Sequence, residues 1–542
     1  MKIKMIFYLI YLLFMIKFIS AYAPVPAVSS SRLVNWSNTG LLPTTPTEAD
    51  HIFYVTDYGA VPDDGNDDYN AIQAAINAAK GESGLKIIYF PLGLNSTATY
   101  NINSPINLDA SCSDIVFQGD GSYKTILQFN VGNSNKCFNI YGSVSGSYKN
   151  IDANIAKGDN TFLCSSLSQI ITTADINSGN AWIRLCEYNS PKVDGKHPYS
   201  IGQITRITNV SGSSYTIKDE ASKSYLTSYD LRVYKVVPIK NVGIEDLKIY
   251  RNDGGDSDTG SNIFFQYAVD CWVKGVESEL TCRHHIEIKY SSHIEVTGCY
   301  MHRARDYGDG GRGYGICLYF SSTNCLIENN IFRRLRHAMK VSAGANCNVF
   351  GYNYSREQVW ECGGGCPDDY GPDICVHGNY PYANLFEGNC VSRMWCDWTH
   401  GRNGPYNTFL RNRTHENEWI VVLNSTYTNV IGNENALGVL DDATIAAEIF
   451  SGGDAEDSDN TFDVYFWSYS DPGDQNCIAN GITHEGWYAI QQLGAEFVQV
   501  MLGCSWLDDV SYYRSSRPSF MDVLPYIFIM KIVTFSDWQI LL

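Results

Sequence analysis

Cationic side chains are scarce in this sequence: 39 Lys and Arg stand against 58 Asp and Glu, a net charge of −19 over 542 residues. That shortage disfavours nucleic acid as a partner, because phosphate binding needs Lys and Arg to displace counterions. It also disfavours a strongly acidic polymer, unless a local basic patch or a bridging cation intervenes. Acidity that only keeps the surface soluble accounts for the same number. An apolar run that spans a bilayer comfortably is missing as well. The run from Ile6 to Ile19 is short and broken by Lys17. With Met1-Lys2-Ile3-Lys4 before it and Ser20-Ala21-Tyr22-Ala23 after it, it reads as a signal peptide over residues 1–23. An uncleaved anchor is the competing reading, and no stable membrane span is expected after cleavage. At 18% charged and 44% hydrophobic residues, the chain is neither disordered nor membrane-embedded throughout.

Two further features agree with export. Six Asn-x-Ser/Thr sequons occur, at Asn35, Asn95, Asn209, Asn353, Asn412 and Asn424. Seventeen cysteines would be an unusual load in a reducing compartment. Cys362 and Cys366 read as a local disulfide or as parts of separate bridges, in preference to a zinc site. Cys325 and Cys347 begin equivalent repeats, where they would stack or pair.

Along the chain, residues 24–50 are rich in Pro, Ser and Thr and read as a lead-in linker. Residues 51–148 form an N-terminal cap and first coils. There Ala71, Ile72, Ala75, Ile76 and Ala79 recur at helical spacing, predicting a helix over 70–80. The acidic run from Asp63 to Asp68 lacks the spacing of an EF-hand calcium loop and reads as a solvated turn capping that helix. Residues 149–238 are strand-like and rich in Thr, Ser and Ile, predicting a small β insertion. Residues 239–475 carry a repeat, and 476–542 read as a C-terminal closing segment with an unexpectedly apolar end.

The repeat is the most informative feature. Val242-Gly243-Ile244-Glu245-Asp246-Leu247, His293-Ile294-Glu295-Val296-Thr297-Gly298, Cys325-Leu326-Ile327-Glu328-Asn329-Asn330 and Asn384-Leu385-Phe386-Glu387-Gly388-Asn389 share one form. Each is a short apolar segment followed by a Gly or Asn turn. The spacing is 21 residues from Val273 to Ile294 and 24 from Leu326 to Phe350. That period means a solenoid, and alternating strands with Gly/Asn turns mean an all-β one. The dense Leu pattern of leucine-rich repeats is absent, as are the helical stretches of a doubly wound sheet.

The segment Phe53 to Lys80, with Val116-Phe117-Gln118-Gly119-Asp120-Gly121, resembles the N-terminal module of the pectate lyase superfamily, in its pectate-lyase-3 or rhamnogalacturonase-like group. The resemblance implies a right-handed parallel β-helix with a capping helix at its N-terminal end. It also implies polysaccharide or other glycan as partner, and calcium as cofactor if the chain is a lyase; nothing in the residues themselves calls for a cofactor or a metal. Catalytic motifs do not carry across. Polygalacturonases have Asn-Thr-Asp, Asp-Asp, Gly-His-Gly and Arg-Ile-Lys sets. Only His377-Gly378 and His400-Gly401 resemble the third, and the acidic calcium ligands and Arg base of calcium-dependent pectate lyases find no match.

The chemistry must therefore be read from the residues. Equivalent positions on adjacent coils lie about 4.8 Å apart, so stacked groups can cooperate. His377 and His400 are 23 residues apart, each followed twelve residues later by an Asn, with Asp373 and Asp397 a few residues upstream. His337 and Lys340 fall near the same face, and Asp306 and Asp309 lie in a long glycine-rich loop. These eight are the candidate acid/base groups, since His suits proton transfer near neutral pH. Ladders of His and Asn that only satisfy turn backbone groups are the alternative. Arg303, Arg305 and Arg402 with Trp360, Tyr380, Trp395, Trp398 and Tyr406 are candidate sugar contacts, against core packing. Two functions stay open: a secreted polysaccharide hydrolase or lyase, and a non-catalytic glycan-binding or cell-surface β-helix. Oligomeric state is not legible.

Overall fold

One apolar side chain per short strand points inward and stacks on the next. Ile244, Val273, Val296, Ile327, Phe350, Phe386 and Phe409 are paired in that order through parallel strands, and all are buried. The last three rings stack at 5.1 and 4.9 Å. After the first six of these strands the chain turns through a left-handed residue: Asp246, Gly275, Gly298, Asn329, Tyr352 and Gly388. Gly and Asn adopt that conformation most readily, which is why the repeat shows them there.

The computed structural model describes residues 34–435 except 195–196, 254–259, 309, 361–370, 398–399, 411, 415–419 and 423–427, and adds the strand Tyr465–Ser468. The expected signal peptide, Asp309, Trp398, Asn424, the bridge between Cys362 and Cys366, and the closing segment lie outside the described residues.

Strands fall into three parallel ladders, entered at His51–Tyr54, Ala98–Ile102 and Ile106–Leu108. Each coil contributes one strand to each ladder, and their inner faces form one continuous core. This is a parallel β-helix. The helix Tyr69–Ala79 covers its N-terminal end, burying Ala71, Ile72, Ala75, Ile76 and Ala79 as the spacing predicts. The acidic run is a solvated turn from Asp63 to Asp67, as expected, and only Asp68 departs from that reading. The Asp68 carboxylate accepts from the backbone of Val61 and Asn101, tying the helix to the second ladder, and burial pushes it up to about 6.

The turns are held by buried asparagines. Asn330, Asn353, Asn389 and Asn412 form one ladder, each side-chain oxygen accepting from the backbone N–H of the preceding member. Asn348, Asn384 and Asn407 form a second. Asn353 and Asn412 are thus interior groups, which overturns their reading as glycosylation sites in the folded chain. Asn35, Asn95 and Asn209 are exposed.

The insertion is a six-stranded antiparallel sheet running from Ser143–Asn150 to Leu231–Val237. It packs on the turns leading into the first ladder, where the Tyr225 and Tyr382 hydroxyls are 2.8 Å apart. The lead-in from residue 34 onward is no free linker. Trp36 is 1% exposed and donates to Ala383 O at 2.7 Å, and Leu42 is buried against the insertion. Trp36→Ala is expected to destabilise the fold by about 3–5 kcal/mol, measured by denaturant unfolding; a change under about 1 kcal/mol would show that the segment only rests on the surface.

Among the described residues no disulfide is formed, and every described cysteine is buried. Cys325 and Cys347 neither stack nor pair. Leu326 aligns with Val349, so Cys325 sits opposite Asn348 in the solenoid core, while Cys347 faces the insertion. A one-residue offset sends the two thiols to opposite faces.

Candidate functional site on the outer face of the third ladder

Strand alternation builds the site. In Ile374–His377 and Met394–Asp397, Ile374, Val376, Met394 and Cys396 enter the core, which turns Cys375, His377, Trp395 and Asp397 outward. Register places Cys317, Lys340, Cys375 and Trp395 in one column and His377 beside Asp397 in the next.

The His377 Nδ1 lies 2.5 Å from Asp397 Oδ2, and Cys375 Sγ lies 3.6 Å from the same oxygen. The carboxylate thus orients the imidazole, with Nδ1 protonated and Nε2 left as the basic atom. Burial, then the Lys340 ammonium, pushes His377 down to about 4, against the pull of Asp397. His377 is neutral at pH 7. The Lys340 ammonium is flanked by the rings of Tyr314 at 4.8 Å and Tyr319 at 5.8 Å. His337 is buried beside Tyr314 and bonds Pro372 O through Nδ1 at 2.7 Å. Burial first, then Arg336 and Lys340, holds it well below the usual imidazole range.

The insertion supplies the opposite wall. His400 Nδ1 is 3.8 Å from Asp194 Oδ2, and its ring is 4.8 Å from His377 and 6.0 Å from His197. The side chains of His377 and Asp397 are each 17% exposed, enough to meet a ligand edge. Of the eight candidate acid/base groups, His337, Lys340, His377, Asp397 and His400 come together here. Sequence reading missed Cys375, Asp194 and His197. Cys375 carried a signal, its spacing of two from His377; the insertion residues carried none.

Other candidates lie elsewhere. Asp373 is fully buried and accepts from Ser355 Oγ at 2.7 Å and Ser392 N at 2.6 Å, so it fastens turns. Asp306 pairs with Arg312 and accepts from Gly308 N within its own loop. That loop is joined to Arg336, whose guanidinium donates to Gly308 O and covers Trp360 at 4.8 Å. Arg303 pairs with Glu279 at 3.3 Å on the second ladder, and Arg305 donates to Arg251 O, so neither reaches the site. Tyr380 is buried under the insertion, and Tyr406 packs there beneath Lys157. Both are packing residues, because the insertion covers the turns they occupy. Trp395 lies on the site face near Arg393, and Arg402 is half-buried with its carbonyl accepting from Tyr380 N at 2.9 Å.

Calcium does not fit this donor set. It takes six to eight oxygens, and here one carboxylate stands with a thiol, an imidazole and a nearby ammonium. The second ladder offers Glu277, Glu279 and His302, but Lys248 already bridges both carboxylates at 2.8 and 2.6 Å.

Among curated proteins none matches the chain. Among solved structures, it is similar to the tailspike gp61 of Pseudomonas phage phi297, at 15% identity and a TM-score of 0.49 over 71% of this chain and 64% of that one. It is similar to the tailspike gp49 of Pseudomonas phage LKA1, at 16% identity and a TM-score of 0.49 over 70% and 64%. The surface adhesin PfbA of Streptococcus pneumoniae follows at 13% identity and 0.33, over 71% and 87%. The chain thus spans 64% of the length of the two tailspikes. The model of the family described as rhamnogalacturonase A/epimerase, pectate lyase-like, matches residues 52–366, more than half of the sequence. Matched across that stretch of its three-ladder solenoid, the chain belongs to the pectate lyase-like rhamnogalacturonase A/epimerase family.

Proposed function

We propose that the protein is a polysaccharide lyase that cleaves a uronate-containing glycan along the outer face of the third ladder. One observation carries this reading: a neutral imidazole, His377, oriented by Asp397 with the ammonium of Lys340 beside it. β-Elimination needs a base for the proton next to the uronate carboxylate and positive charge to stabilise the enolate that forms. Here His377 Nε2 takes the proton, and Lys340 supplies charge from the floor of the site. The enolate collapses to the unsaturated uronate by expelling the glycosidic oxygen at its β-carbon, which leaves with a proton from solvent. A bound uronate offsets the Lys340 field and thereby raises the basicity of His377 as substrate arrives. Local cations also answer the objection raised by the net charge. Lys340 and Arg336 both lie against the Tyr314 ring, which gives this part of an otherwise acidic chain local positive charge.

The test is incubation of the chelator-treated full chain with pectins, alginates and neutral glycans, reading unsaturated-uronate absorbance and reducing ends. Both signals should rise together on at least one uronate polymer. Reducing ends without absorbance would replace elimination by hydrolysis. Binding with neither signal would leave the non-catalytic glycan-binding reading.

A further inference from the structure

The same residues offer a second chemistry that competes with the first, because an ion that replaces the proton between His377 and Asp397 removes the hydrogen bond orienting the base. We propose that Cys375, His377 and Asp397 form a binding site for a thiophilic divalent ion of the zinc type. Their ligand atoms all lie within 4.8 Å of one another. Cys375 and His377 are two apart on one strand and so share a face, and the pairing of His377 with Asp397 brings in the carboxylate. The tetrahedral edges around zinc with sulfur, nitrogen and oxygen ligands run to about 3.3–3.6 Å. The sulfur–oxygen separation of 3.6 Å already meets that length. The imidazole–carboxylate separation of 2.5 Å spans a shared proton, and a metal taking the proton's place would open it.

Ligand type decides the ion. Thiolate with imidazole selects zinc or cobalt over calcium and magnesium. Binding releases the thiol proton of Cys375 and the proton between His377 and Asp397, so the ion meets a thiolate, a neutral imidazole and a carboxylate. Three protein ligands leave one position for solvent, the form of an open site. Lys340 works against the ion. It is the register neighbour of Cys375, and its charge repels a divalent cation.

The experiment titrates the reduced, metal-stripped full chain with Co²⁺ and then displaces it with Zn²⁺. A thiolate-to-cobalt charge-transfer band should saturate at one equivalent and vanish on adding zinc. Cys375→Ser should abolish the band, and Asp397→Asn should weaken cobalt binding by about 100-fold. Lys340→Met should tighten it by about tenfold or more. No band, or a band that survives in Cys375→Ser, would overturn the site by placing the metal nowhere or on another cysteine. Should Cys375→Ser fail to fold by circular dichroism, His377→Gln decides: the ligand-field spectrum must change, and an unchanged spectrum overturns the proposal equally. Because no substrate is involved, a failed polysaccharide assay and a failed titration are separate results.

Discussion

His377→Ala is expected to lower the rate of glycan cleavage by about 10²- to 10⁴-fold, the range for loss of a general base. The melting transition should fall only modestly, since the ring lies outside the solenoid core but gives up its bond to Asp397 and its contact with His400. The pH profile carries the stronger prediction. Burial and Lys340 place His377 at about 4 in the free protein, and the neutral form is the active one. The acid limb of kcat/KM should therefore hold flat from neutrality down to about pH 5 and fall through about 4. An ordinary imidazole would lose activity near 6.5 instead. Lys340→Met removes a charge that disfavours the imidazolium, so its acid limb should move upward toward the ordinary value. A purely structural role for Lys340 would lower the rate without moving the limb. An unchanged rate in His377→Ala, or a wild-type limb near 6.5, would remove His377 from the chemistry.

Asn353→Ala is expected to destabilise the fold by about 2–5 kcal/mol, read from the denaturant midpoint at constant slope. Asn353 Oδ1 accepts from both Asn330 N and Asn330 Nδ2, at 3.1 and 3.0 Å. Its own Nδ2 donates to Ile327 O and Asn389 Oδ1, each at 2.9 Å. Truncation leaves buried donors and acceptors without partners on two adjacent coils, each costing about 1–3 kcal/mol. Asp at this position restores the acceptor but buries a charge, so Asn353→Asp should rescue little. A loss below about 1 kcal/mol in Asn353→Ala would show that water replaces the ladder.

The asparagine ladders bear out one of the two sequence expectations, since the Asn twelve residues after each of His377 and His400 satisfies turn backbone groups. Asn389 and Asn412 occupy the turn between the first and second ladders, a full sheet away from the histidines. Asp373 and Asp397 look alike in sequence, each just upstream of its histidine. Four residues of difference in strand position put Asp373 in a buried turn and Asp397 on the open face. The sequon reading of Asn353 failed for the same reason. A three-residue motif does not report which way its asparagine points.

The sequence by itself determined the solenoid, because an apolar side chain at every second strand position and a left-handed turn, most often at Gly or Asn, are local requirements repeated coil after coil. It determined the capping helix through a periodicity of the same local kind. It also brought His377, His400 and Asp397 into view as candidates, while the pairing of His377 with Asp397 came from the strand register. Only the tertiary structure decided that Trp36 anchors the lead-in, that the insertion covers Tyr380 and Tyr406, and that Asp194 and His197 wall the site. Those contacts join segments up to 347 residues apart, and no local spacing encodes where an inserted sheet comes to rest.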